Sequence, residues 1–218
     1  MSKIIISSPF FHNENGHHYH YFQAVFAAAK SIGLQMEAYV PQNCSIDFAG
    51  SGYRKYFRWH SKRKKRERMQ QKDYFWLIKK EARQNNWFFF ETFAFRHFLA
   101  ITLGLLLFAK RPTKTIVFVR ETNLSSKKER VFNYCCRLLG KKFGGNLILG
   151  TDSDLIAAYF ADKYGLAFQV FPIPLSFSVV LPFRKRATVK NLWLPGHIAK
   201  GKGLCRLLPM LQKGLVTA

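Results

Sequence analysis

Short β-branched runs and longer helical stripes alternate along this chain. KIIIS (Lys3 to Ser7) reads as a strand. After a polar loop, Phe22, Val25, Phe26, Ala29 and Ile32 recur at helical spacing, with Gly33 just past the last of them. Met36 to Val40 is the next apolar run. The order returns downstream, where TIVFV (Thr115 to Val119) predicts a strand. Ser126, with Glu129 three residues on, has capping-box spacing and opens a helix carrying Val131, Phe132, Cys135, Leu138 and Leu139. NLILG (Asn146 to Gly150) is another buried strand; a helix capped by Thr151 or Ser153 runs to about Lys163, and AFQVF (Ala167 to Phe171) follows. Five strand signals alternating with helices predict an α/β fold, a Rossmann-like doubly wound parallel sheet.

Pro172 and Pro174 in FPIPL cannot both lie inside a central strand, so the first domain is expected to end there. Beyond them, VKNLWL (Val189 to Leu194), the loop PGHIAKGKG and Leu204 to Leu211 read as strand, loop and helix. The expected organisation is a domain over 1–174, with a basic and aromatic insertion at about 53–110, followed by an incomplete second α/β domain over 175–218. One strand and one helix cannot cover both faces of a sheet. The second domain is therefore expected to be truncated, and to be covered by a second copy or another partner.

Composition sharpens this. Of 218 residues, 48% are apolar and 16% aromatic, which excludes a disordered tail even though 35 Lys and Arg against 12 Asp and Glu leave a net charge of +23. So strong a positive field implies an anionic partner. Cys44, Cys135, Cys136 and Cys205 show no CxxC spacing, so reduced thiols are expected and a zinc site or disulfide framework is not. The amino-terminal residues carry no secretory pattern, and the expected location is the cytoplasm. FLAITLGLLLFA (Phe98 to Ala109) is shorter than the roughly eighteen residues of a spanning helix, which suits a core or interfacial helix.

Four places could carry chemistry. Gly16, between the first strand and first helix, lets a ligand approach the helix start, although a turn glycine of any βαβ unit would look the same. His17, His18 and His20 follow at once; without Cys or carboxylates beyond Glu14 they suit a ligand cleft or solvent better than a metal, and no metal is expected. The tract from Arg54 to Lys72 interleaves cations with Tyr53, Tyr56, Phe57 and Trp59. Arg54, Lys55, Trp59, Arg63, Lys64, Lys65 and Arg66 form the expected contact with an anionic membrane surface, in preference to a nucleic-acid backbone or a solvated helix face. LPGHIAKGKG (Leu194 to Gly203) puts Lys200 and Lys202 beside free backbone donors, as a diphosphate requires; a basic turn is the plainer reading.

Three of these segments, in order, resemble the group 1 family of GT-B glycosyltransferases, which are retaining and nucleotide-sugar-dependent: SPFFHNENGHHYHYFQAVFAAAKSIG, then LGTDSDLIAAYFADKYG with FPIPL, then LPGHIAKGKG. Gly196, Lys202 and Gly203 match the family's diphosphate motif, while His197 stands where Arg is usual and Gly201 where Glu is usual. The resemblance implies a Rossmann-like acceptor domain ahead of a donor domain, with a nucleotide sugar as donor substrate and no further cofactor. It implies donor contacts from Gly16, Gly196, His197 and Lys202, with His17 and Glu121 as catalytic candidates. Glu121 ends a strand where a parallel sheet places functional groups, and equally where a helix-entry acid would stand. The implied acceptor is a lipid-linked or envelope glycan, reached from the inner face of the cytoplasmic membrane. Lacking most of the donor domain, the chain alone is expected to be weak or inactive.

Overall fold

Ile4, Ile5 and Ile6 cannot all face one side of a strand, because successive side chains point to opposite faces. All three are buried, so the strand that holds them lies between two layers. The computed structural model describes residues 3–13, 17–46, 52–82, 86–92, 94–119 and 124–171, all within the unit Met1–Ser176. In chain order its elements are β1 (Lys3–Ser7), α1 (His17–Ser31), β2 (Gln35–Pro41), β3 (Tyr53–Phe57), α2 (Arg63–Glu81), β4 (Trp87–Thr92), α3 (Phe95–Phe108), β5 (Thr115–Val119), α4 (Ser126–Phe143), β6 (Leu147–Thr151), α5 (Asp154–Tyr164) and β7 (Gln169–Val170).

The strands form one sheet in the order β3-β2-β1-β4-β5-β6-β7, and every pairing is parallel. The direction of winding reverses between β1 and β4, which makes this the doubly wound α/β fold expected from the sequence. Ile4 and Ile6 pack with Tyr21, Phe22 and Ala29 of α1. Ile5 packs on the other face, in a core to which α2 gives Leu77 and Ile78, α3 gives Phe98, Ile101 and Leu105, and α4 gives Phe132 and Leu139.

Several expectations change. Residues 53–110 are not set apart from the sheet: they supply β3 and β4 with the helices that follow each, and β4 lies at the centre, hydrogen-bonded to β1 and β5. The apolar Phe98 to Ala109 run falls within α3 and its C-cap, with Phe98, Ile101 and Leu105 in the core. Among the described residues no helix is long and apolar enough to cross a membrane. On α1, Phe22 and Ala29 are buried, but Phe26 and Ile32 of the expected stripe are exposed and Tyr21 is buried in their stead. Gly33, with φ +68°, follows α1 in the left-handed conformation that glycine adopts most cheaply. The capping box at Ser126 does not form. The N-cap is Ser125, without a side-chain bond, and the Glu129 carboxylate instead accepts from Lys163 Nζ at 2.7 Å and Tyr159 Oη at 3.0 Å. The strand expected over 167–171 shortens to Gln169–Val170. Residues 172–218 lie outside the described residues, and with them the expected second domain.

At the amino-terminal edge of the sheet a buried ionic cluster ties α2 to β1 and β2. The Tyr39 hydroxyl donates to Glu81 at 2.7 Å and to Glu37 at 3.0 Å, and Lys3 lies 3.2 Å from Glu81 and pairs with Glu37. Burial works to raise the pKa of Glu37, but hydrogen bonds from Lys3 and Tyr39 outweigh it and hold the carboxyl below its usual range.

The contact between α2 and α3 is close because Gly104 has no side chain. A Cβ there would lie 2.9 Å from Cδ1 and 3.2 Å from Cβ of buried Ile78. Gly104→Val should destabilise the fold by about 2 to 3 kcal/mol through overpacking, seen as a lower melting temperature, and adding Ile78→Ala should restore part of the loss.

Candidate functional site

A parallel sheet that winds both ways opens a crevice at the carboxyl ends of the strands where the winding reverses. Here that point is the end of β1 and β4, because the chain leaves β1 for α1 on one face and leaves β4 for α3 on the other. Ser8 and Glu91 meet there. Glu91 is the one acid, closing an otherwise apolar WFFFE run, and is only 2% exposed. Its Oε2 accepts from Ser8 Oγ and lies 3.2 Å from Nδ1 of His18 on the first turn of α1. The Tyr74 hydroxyl, fully buried, donates to the Glu91 main-chain oxygen at 2.6 Å, and burial first of all pushes its pKa up.

The same carboxylate oxygen receives both Ser8 and His18. The serine proton therefore goes to the carboxylate, and no Ser–His nucleophile pair is set up. The His18 side chain keeps 16% of its surface exposed while Glu91 fixes one ring nitrogen. An imidazole oriented by a buried carboxylate and partly open to solvent is suited to moving a proton to or from a bound group.

Aromatic rings build the wall around it. Phe10 stacks on His18 with centroids 6.2 Å apart and lies 6.0 Å from the ring of His97. His97 is buried, 5.3 Å from Tyr74, and neither ring nitrogen has a hydrogen-bond partner. Burial lowers its pKa to about 4; the charge of Glu67 opposes this, and those of Arg66 and Arg63 add to it. From α2 the Arg66 guanidinium lies 4.3 Å from the centre of the Trp59 ring and 5.9 Å from that of Phe10, and Gln70 donates to Pro9 O at 3.4 Å. His12 meets Trp59 edge-on at 4.2 Å. Burial lowers its pKa too, against the influence of the nearby Asn43 side chain.

No family model and no curated protein sequence matches this chain.

The expected site residues distribute unevenly. His17 is the first residue of α1, but it is the adjacent His18 whose ring reaches Glu91. Gly16, Glu121, Gly196, His197 and Lys202 lie outside the described residues. The expected membrane contacts come from β3, from the start of α2 and from Trp59 between them. Arg54 on β3 pairs with Glu37, Arg63 Nε lies 2.7 Å from Glu67, and Arg66 with Trp59 joins the wall of the crevice. Lys55, Lys64 and Lys65 are exposed. Among the described residues no group of three metal-ligating side chains occurs. Sequence reasoning missed Ser8, Glu91 and His97. For Glu91 a signal existed, a single carboxylate closing an apolar strand run.

His97 generates a pH dependence with a definite sign. Unfolded, its imidazole takes up a proton near pH 6.5; folded, it does so only near pH 4. Between these values the unfolded chain binds more protons, so stability falls as pH is lowered through this window, by on the order of 3 kcal/mol in all. His97→Leu should flatten the melting temperature against pH between pH 6.5 and 4, relative to the unsubstituted chain.

Proposed function

We propose that the chain carries the acceptor-side domain of a nucleotide-sugar-dependent glycosyltransferase that acts on a lipid-linked or envelope glycan at the inner face of the cytoplasmic membrane. The observation that carries this reading is His18, oriented by buried Glu91, at the winding reversal of a wholly parallel sheet. The resemblance of SPFFHNENGHHYHYFQAVFAAAKSIG, LGTDSDLIAAYFADKYG and LPGHIAKGKG to the group 1 family supports it.

In such a transfer the acceptor hydroxyl forms a bond to the anomeric carbon, the bond from that carbon to the diphosphate breaks, and the hydroxyl loses its proton. His18 takes this proton, and the negative charge of Glu91 stabilises the imidazolium that results. Base catalysis of this kind contributes roughly a hundredfold or more. Phe10 and Trp59 wall the crevice beside His18. Gly16, Gly196, His197 and Lys202 keep the donor-binding roles that the resemblance implies, and Glu121 the catalytic one.

Melting temperatures measured with UDP- and GDP-sugars test the reading. At about a hundred times Kd, a bound nucleotide sugar should raise the melting temperature by roughly 5 °C or more. The transfer of labelled sugar to a lipid-linked acceptor, weak as it is expected to be in this chain alone, should fall roughly a hundredfold in His18→Gln with the nucleotide shift unchanged. No shift with any nucleotide sugar, combined with binding to vesicles or nucleic acid, would favour a non-catalytic basic module.

A further inference from the structure

The outer side of the helical layer formed by α2, α3 and α4 carries a trough of about 880 Å³. Its floor is α3, with Leu99, Leu103 and Leu106; one wall is Phe75 and Trp76 of α2, and the other includes Leu138 of α4. Burial is incomplete: Trp76 is 54% exposed, Leu103 51% and, one turn further along α3, Leu107 60%. The rim is cationic, with Arg68 and Lys72 from α2 and Arg96 from the start of α3. Among the described residues no carboxylate pairs with any of these three. A smaller hollow of about 430 Å³ continues from the Arg96 end and adds Lys128 and the Arg63–Glu67 pair.

We propose that this face docks on an anionic phospholipid bilayer, with hydrocarbon reaching the leucine floor and lipid phosphates at Arg68, Lys72 and Arg96. The surface is distinct from the crevice at the carboxyl ends of the strands, and the inference does not depend on sugar transfer. Three features select this occupant. An apolar floor edged by cations that have no carboxylate partner among the described residues complements an amphiphile whose anionic head stands above its chain. Trp76 lies at the boundary, half exposed, with the Lys79 ammonium 4.7 Å from the centre of its ring. With 19 residues, α2 is about 28 Å long, enough to meet several headgroups. A single-stranded nucleic acid would need free ring faces for stacking, yet Lys79 covers one face of Trp76, and exposed leucines offer a phosphate backbone nothing. Since no described helix can span a bilayer, contact through this face is with the membrane surface.

Sedimentation of the full chain tests this, using vesicles of phosphatidylcholine alone or mixed with phosphatidylglycerol and carrying acyl-brominated lipid. The chain should pellet with the anionic vesicles and release as salt rises. Bromine should quench its tryptophan emission, and Trp76→Phe should remove much of that quenching. Lys72→Glu should weaken binding at least about fivefold; Lys30→Glu, the same charge change on α1 across the sheet, should weaken it much less. Leu103→Asp, or the milder Leu103→Ser, should abolish quenching with the thermal melt retained. Three results would overturn the proposal: equal losses in Lys72→Glu and Lys30→Glu, pelleting without quenching, or binding of single-stranded DNA alone that Lys72→Glu and Leu103→Asp both abolish. A nucleotide-sugar titration reads the other proposal, so the two fail separately.

Discussion

Parallel pairing of β1 with β2 on one side and with β4 on the other puts three consecutive isoleucines into two cores. Burying each of those side chains contributes about 2 kcal/mol or more. A slip of one residue would exchange the faces of Ile4, Ile5 and Ile6 and set the register against both layers at once. The same pairing fixes the crevice, because it brings the end of β1, with Ser8, beside the end of β4, with Glu91. The site is thus a consequence of the core: without the β1–β4 ladder, His18 has no carboxylate to meet.

Five of the seven strands and the helices near the carboxyl end of the first domain were legible because their periods are clean. TIVFV became β5 with its ends where the run of β-branched and aromatic residues begins and stops. β4 was hidden by its neighbourhood. WFFFET stands a few residues from FRHFLAITLGLLLF, and the longer apolar run masks the shorter one, although the first is a central strand and the second a helix lying on it. β3 was hidden for the opposite reason. It is an edge strand, YRKYF, whose Arg54 and Lys55 are exposed, and charge is how an edge avoids further pairing. The crevice was least legible, since Ser8, His18 and Glu91 are joined only by tertiary register and no spacing along the chain announces them.

Charge is also distributed differently from what the total suggests. Glu37, Asp73, Glu81 and Glu91 are buried, each engaged by an internal donor: Tyr39 for Glu37 and Glu81, Arg58 for Asp73 at 2.7 Å, and His18 for Glu91. Four of the 12 acids in the chain thus contribute little to the exterior, which leaves the solvent-facing surface more basic than the ratio of cations to acids implies. Arg54, Arg58 and Arg66, which looked in the sequence like part of one uniform basic tract, are held by this interior.

The contacts of α2 divide into two sets. Its carboxyl end is clamped by Tyr39 and Lys3, and Ile78 is wedged against Gly104 close by. Its amino-terminal half, over the crevice, is held by the stacking of Arg66 on Trp59, by Gln70 on Pro9 O, and by Arg58, which donates to Met69 O at 3.2 Å and pairs with Asp73. The wall of the crevice and the strand of three isoleucines are thus secured by separate groups of side chains on one helix.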